Sequence, residues 1–268
     1  SVCFATCDFP GTERYMKKAI AVFRDHCQSE SHEIVFSEVH LLSALFYLGR
    51  IDELSRLVPG RVQEARSRGD IFAAIYLLGA YGFIAWLADD DVETARREVA
   101  KARSTWDIDD FIFQTYLLLL AEQLIDLYAG RGLDAWARLC EQWSVIKKSA
   151  WFYFPLQMSK WRHLRGASAI AAVLEGDEER ATMFREASRQ AHKMIRLGLP
   201  YAGGHGELIQ GSVSYLSDEP QKAVHHLTNA EEHFQSLEMT AHAAVARRCR
   251  GIALGGDEGR QLVDDANA

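Results

Sequence analysis

The chain is short of proline, with 5 residues in 268, against a usual share of roughly 5%. Proline interrupts helices and punctuates turn-rich sheets, so its scarcity excludes a turn-dense β protein and leaves long stretches free to be helical. A basic excess is also missing. Acidic residues outnumber basic ones, 37 to 30, giving a formal charge of -7, which excludes a phosphate-binding surface and with it nucleic acid as a partner. Cysteine is sparse and odd in number: Cys3, Cys7, Cys27, Cys140 and Cys249 supply neither a disulfide framework nor a paired zinc spacing. No metal or other cofactor is expected, and a reducing cytoplasm is the expected setting. No basic segment followed by a cleavable apolar stretch opens the chain. Its last residues, Asp264 to Ala268, read as the middle of a helix, so a fragment of a longer protein is expected. There is no GxxxxGK[ST] or kinase signature.

What is present is a repeat. Long apolar helical segments end in a short Gly or Asp turn and are followed by a more polar amphipathic segment. The apolar members are expected near 33–48, 70–88, 110–129, 155–174, 200–216 and 239–254. Their partners follow near 52–69, 91–106, 132–149, 177–197, 219–237 and 257–267, and a lead-in helix precedes them near 12–29. Turns begin at Gly49, Asp90, Gly130, Gly176 and Asp218, positions 41, 40, 46 and 42 apart by subtraction. Glycine tolerates the left-handed conformation that ends a helix, and the Asp or Glu that follows in most of the turns suits the positive N-terminus of the next helix.

Five residues after each turn start stand Leu54, Ala95, Ala135, Ala181 and Ala223, and seven further on Arg61, Ala102, Gln142, Ser188 and Ala230. The small residues among them predict close helix approach. Pro155, Pro200 and Pro220 fall in expected first turns, where a missing N–H costs nothing. Pro59 falls inside a helical pattern, so a kink or break is expected there.

Several stretches admit sharper readings. Ile71 to Ala88 is eighteen residues without a charge, about 27 Å of helix and nearly a bilayer's hydrocarbon depth. Its glycines and alanines, and its place in the repeat, favour a buried helix over a membrane span. Asp89-Asp90-Asp91-Val92-Glu93 matches the DDxxE pattern with which all-helical terpene cyclases hold magnesium and diphosphate. The second metal motif of that class is not matched around Asn229, so a capping turn is the simpler reading.

His226 and His233 share a helix face expected to be solvated, while His242 and Cys249 lie too far apart along a helix to act as base and nucleophile. Gly203-Gly204-His205-Gly206 offers backbone amides to an anion or, more simply, close packing. The six tryptophans, Trp86, Trp106, Trp136, Trp143, Trp151 and Trp161, are expected in packing between hairpins.

The turn followed by small residues resembles the tetratricopeptide repeat, although a period near 40 exceeds that family's usual length of about 34 residues. The resemblance implies an all-α, right-handed α-α superhelix, a TPR-like solenoid of about six hairpins in a single domain over 1–268. Phe234-Gln235-Ser236-Leu237-Glu238-Met239, Ala243 to Gly251 and Leu254 to Arg260, with Phe46-Tyr47-Leu48-Gly49-Arg50, Ile125 to Gly130 and His163-Leu164-Arg165-Gly166, are similar to the C-terminal repeats of large bacterial signalling proteins. Those proteins join a Ser/Thr kinase and a STAND-type ATPase to such a region.

That likeness implies a chain that is not itself an enzyme but a sensor or interaction arm, binding a protein, peptide or small inducer, without nucleic acid or membrane. A dimerisation scaffold is an alternative, and so is the diphosphate enzyme. In such superhelices the first helices line the concave face, which makes Gln114, Gln157, Arg162, Arg165, His205 and Gln210 the candidate contact residues.

Overall fold

A computed structural model describes residues 2–26, 31–105, 113–176 and 179–268. The described residues are almost wholly helical and contain no strand. The chain divides into two compact units, Ser1–Ala129 and Gly130–Ala268. Cys27 and Trp106, and the turn residues Asp177 and Glu178, lie outside the described residues.

In the N-terminal unit the helices are α1 (Val2–Ala5), α2 (Phe9–His26), α3 (Ser31–Tyr47), α4 (Ile51–Ser67), α5 (Ile71–Leu77), α6 (Ile84–Leu87), α7 (Val92–Ser104) and α8 (Phe113–Tyr128). The C-terminal unit holds α9 (Gly132–Lys148), α10 (Pro155–Glu175), α11 (Arg180–Ile195), α12 (Pro200–Leu216), α13 (Pro220–Ser236), α14 (Thr240–Leu254) and α15 (Gly256–Asn267), with a 3-10 turn at Ala150–Tyr153. Within the C-terminal unit each helix from α9 to α14 packs on the next, and α12 also touches α10 and α14.

The turn chemistry produces this hairpin order. Gly49, Asp90, Gly130, Gly176 and Asp218 all take left-handed φ, between 58° and 116°. Links between hairpins use the same device at Gly69, Gly198 and Glu238. Each such residue reverses the chain within a few bonds, so the next helix folds back along its predecessor. Pro155, Pro200 and Pro220 stand in the first turns of α10, α12 and α13. Asp70 caps α5, its carboxylate accepting the Ala73 amide at 2.9 Å. Replacing Asp70 with Ala removes that acceptor and is expected to cost about 1 kcal/mol, read as a lower urea midpoint.

Behind each turn a stripe of small and branched residues is buried four residues apart: Leu54 and Val58, Ala95 and Val99, Ala135 and Leu139, Ala223 and Leu227, all at most 1% exposed. Ala181 breaks the expected register and is exposed. The stripe of α11 starts two residues later, at Met183 and Ala187, because α11 begins only at Arg180. Of the next expected set, Ala102 and Ala230 are buried, but Arg61, Gln142 and Ser188 are half-buried: the long side chains of Arg61 and Gln142 reach toward the rim of the contact, and the Ser188 hydroxyl donates to Gln210 at 3.1 Å.

Glycines mark the closest approaches. A Cβ on Gly132 would strike the Ala171 backbone, and Gly251 and Gly259 face each other across α14 and α15 at backbone distance.

Pro59 does not break or end α4, which runs from Ile51 to Ser67. Pro59 and Gly60 are exposed, whereas Leu54, Val58, Val62 and Ala65 are buried. The lost amide bond therefore falls on the face where water can replace it.

The uncharged stretch from Ile71 to Ala88 is not one helix either. Leu78–Gly82 forms a π turn in which Ala80 leaves helical geometry (φ -88°, ψ 56°) and Tyr81 is left-handed (φ 68°). The interruption lets Gly79 seat against Leu117 of α8, where a Cβ would come within 2.5 Å of the leucine Cβ. The Tyr81 ring stacks on Phe46 at 4.1 Å, and its hydroxyl lies 2.6 Å from that of Tyr47, contacts that offset the backbone strain. No helix of the described residues is long and apolar enough to cross a membrane.

Candidate functional site

Five of the six candidate residues lie on α10 and α12 of the C-terminal unit, and four of them turn toward their neighbours there. Arg162 and Arg165 are three apart on α10 and so share a face, which packs on α11. Arg165 is 9% exposed. Its Nε donates to Glu186 at 2.6 Å, and its guanidinium lies between two indoles, 4.7 Å from the Trp136 ring centre and 4.6 Å from that of Trp143. A planar cation is suited to this slot, where a lysine ammonium would lose both the stacking and the fork of donors.

Burial pushes the Glu186 carboxyl up, but hydrogen bonds from Arg165, Gln190 and Arg189 outweigh it and hold the group below its ordinary range. Arg162 donates to Gln190 at 2.9 Å and lies over the Phe152 ring at 5.3 Å. Burial and the nearby Arg189 pull its guanidinium below the usual value. On α12, Gln210 accepts from the Ser188 hydroxyl at 3.1 Å and lies 3.1 Å from the His192 ring nitrogens. The result is a polar ladder along α11 that ties α10 to α12.

His205, also on α12, belongs to a second arrangement. Its ring centre is 4.1 Å from that of His163 on α10 and 5.5 Å from that of His242 on α14. Tyr201 and Phe234 close the cluster at 4.7 and 5.1 Å. His205 is 3% exposed, and neither ring nitrogen has a hydrogen-bond partner.

Burial lowers all three imidazoles: His163 to about 4, His242 to about 3, and His205 well below its ordinary value, helped by the neighbouring histidines and Lys160. The stack is therefore neutral at pH 7. Among the described residues no group of three His, Cys, Asp or Glu side chains is placed to hold a metal ion.

The remaining two candidates are apart from these. Gln114 is buried on α8 in the N-terminal unit, and Gln157 is half-buried in the first turn of α10. The six residues thus do not form one open face: Arg165, His205, Gln210 and Gln114 are buried, and only Gln157 and Arg162 keep surface. Next to those two the structure exposes side chains that the repeat pattern did not single out. Tyr153 is 79% and Phe154 57% exposed, on the turn that leads into α10, and Trp151 stacks on Phe154 at 6.1 Å.

The other motifs resolve into structure. Asp91 caps α7 through the Thr94 amide at 2.9 Å, and Asp90 accepts the Tyr128 hydroxyl at 2.9 Å, so the Asp-rich segment is a capping turn. Gly203, Gly204 and Gly206 lie inside α12, where added Cβ atoms would meet His233, Phe234 and Ile195. Close packing is their role.

His226 is half-buried, with its Nδ1 2.6 Å from Glu207, and His233 is half-buried against Gly203. That helix face is an interhelical contact rather than a solvated surface, because the glycines of α12 let α13 sink toward it. His163 was missed as a site residue. The signal was available in its position, since it occupies the first helix of one hairpin as His205 and His242 occupy those of the next two.

Comparison with protein families, with curated proteins and with solved structures gave no significant match.

Proposed function

We propose that the chain is a non-catalytic, TPR-like interaction module of the cytoplasm, of the kind that bacterial kinase and STAND-type ATPase signalling proteins carry, and that it binds a protein or peptide partner. The observation that carries this reading is the repeated hairpin: five turn residues of one backbone conformation, each followed by a helix that buries a stripe of small and larger apolar residues. Such units expose a long surface while each rests mainly on its neighbours, an arrangement suited to binding extended partners.

The contact surface is placed on the Trp151–Phe154 turn and the adjoining Gln157 and Arg162. Aromatic rings and arginine, exposed together, are the side chains that contribute most at protein interfaces.

Selection of peptides displayed on phage against the chain tests this. Binders are expected that lose about ten-fold or more in affinity when Tyr153→Ser and Phe154→Ser are combined, and again with Arg162→Glu. Failure to select any binder, or binders indifferent to both changes, would remove the reading.

A further inference from the structure

We infer that the surface around the Trp151–Phe154 turn takes an acidic peptide that carries bulky apolar side chains. The inference rests on the reading of that surface as a contact site and adds the chemistry of what docks there.

Its first support is where charge falls along the chain. Although the net charge is -7, no Asp or Glu stands between Glu141 and Glu175, an interval that holds Lys147, Lys148, Lys160, Arg162 and Arg165. None stands between Glu186 and Glu207 either, where Arg189, Lys193 and Arg196 lie. The fold brings the two intervals together, because α10 packs on both α9 and α11.

The aromatic turn sits among these cations. Lys147 and Lys148 end α9 just before it, and Arg162 lies over the Phe152 ring at 5.3 Å. On α11, Glu186, Arg189, Gln190 and Lys193 recur at spacings of three and four, so they share one face. Hydrogen bonds from Arg162 to Gln190 and from Arg165 to Glu186 turn that face toward α10. Lys193 lies within electrostatic reach of cations on all three helices: burial first, then Arg162, Arg189 and Lys147, lower its ammonium against the opposing pull of Glu186.

Acids do not balance this cluster. Glu186 already accepts from Arg165, Arg189 and Gln190. The C-termini of α9 and α11 add only about half a negative charge each. Among the described residues no carboxylate pairs with Lys147, Lys148, Arg162 or Lys193. What is unmet is net charge, and a partner of opposite sign meets it.

The apolar half of the surface is the turn itself. Phe152 points inward, 8% exposed and edge-on to Trp143 at 5.8 Å. Backbone bonds from Phe152 to Ser149 at 3.1 Å and from Phe154 to Trp151 at 3.2 Å hold the turn closed. Tyr153 and Phe154 therefore stand outward on a fixed backbone, and little ordering is lost when a partner packs on them. A purely acidic segment would leave these rings against water, and a purely apolar one would leave the cations uncompensated. Arg162 is half-buried over the inward Phe152 ring, behind the two rings that a flat lipid surface would meet first, so a peptide carboxylate fits it better than a bilayer does.

Fluorescence anisotropy of the whole chain with the labelled, amidated peptides EDEFEDLDE, QNQFQNLNQ and EDEAEDADE tests the inference. The first is expected to bind saturably, about ten-fold or more tighter than the second, which lacks its charges, and the third, which lacks its apolar side chains. Its affinity is expected to fall as salt is raised. Lys147→Glu combined with Lys193→Glu, at two exposed positions, is expected to weaken it about ten-fold or more. No saturable binding of EDEFEDLDE, equal binding of either control, indifference to the double reversal, or equally tight binding of phosphatidylglycerol vesicles or single-stranded DNA would each overturn the inference. It fails separately from the reading it rests on: QNQFQNLNQ bound as tightly, and released by Tyr153→Ser with Phe154→Ser, removes the acidic partner and leaves the contact surface in place.

Discussion

Alanine at position 165 is expected to destabilise the C-terminal unit by about 3–5 kcal/mol, the range for breaking a buried ion pair by removing one partner. Three losses combine. The Trp136 and Trp143 rings, 4.7 and 4.6 Å from the guanidinium, are left around a void. Glu186, which is held as a carboxylate by three donors, loses one of them. The Leu139 carbonyl loses its contact with Nη1 at 3.4 Å.

Lysine does not repair the site, because it cannot stack between two indoles or present the same fork of donors, and Arg165→Lys is expected to recover less than half of the loss. Methionine is the informative third variant. It fills the slot without a charge, so a stability above that of the lysine variant is the expected order. Urea unfolding followed by tryptophan fluorescence reads all three, and a loss below about 1 kcal/mol for alanine would show that the sandwich contributes little.

Acid is expected to weaken the same unit well before ordinary carboxylates titrate. His163, His205 and His242 have imidazoles lowered from 6.5 in the native state, so the unfolded chain takes up their protons first. The contribution is fully present above about pH 6.5 and is lost as pH falls from there toward the native values of about 4 for His163 and about 3 for His242. His163 and His242 each cost up to about 3 kcal/mol by pH 4, an upper bound because the edges of both rings reach solvent.

The expected observation is a urea midpoint that declines steeply between about pH 6.5 and 4.5. His205→Leu should flatten this decline while leaving stability at pH 7 within about 1 kcal/mol, since it replaces a ring whose nitrogens are buried without partners by an apolar side chain. An unchanged slope in that variant would rule the stack out as the source.

How much of this could be read from the amino acids depends on range. The turns were legible because a left-handed residue must be Gly or one of few others, and Gly49, Asp90, Gly130, Gly176 and Asp218 all adopt that conformation. Pro155, Pro200 and Pro220 were legible for the same local reason. The π turn at Leu78–Gly82 was not. Eighteen uncharged residues carry no periodic signal of an interruption, and the contact it allows, Leu117 against Gly79, is made by a helix further along the chain.

The candidate residues show the same division. Polar groups on first helices were correctly located on their elements, but spacing says nothing of the two tryptophans around Arg165 or of Ser188 and His192 around Gln210. The histidine stack joins three helices at separations of 42 and 37 residues by subtraction. A search along one helix, which pairs His226 with His233 and His242 with Cys249, cannot find it. Burial of Ala95 and Ala223 followed the expected register, whereas Ala181 did not because α11 starts late.

The packing of α12 has a mechanical consequence. If the C-terminal unit rested only on contacts between consecutive helices, tension applied to its two ends would peel the hairpins off singly, each at a similar small force. Because α12 also holds α10 and α14, the helices from α10 to α14 share the load. Peeling then begins at the two end helices, α9 on α10 and α15 on α14, and the stretch between them yields as one cooperative block. The contacts of α12 with α10 and α14, among them Ile209 against Gly166 of α10, therefore set how large a piece of the chain comes apart in one step.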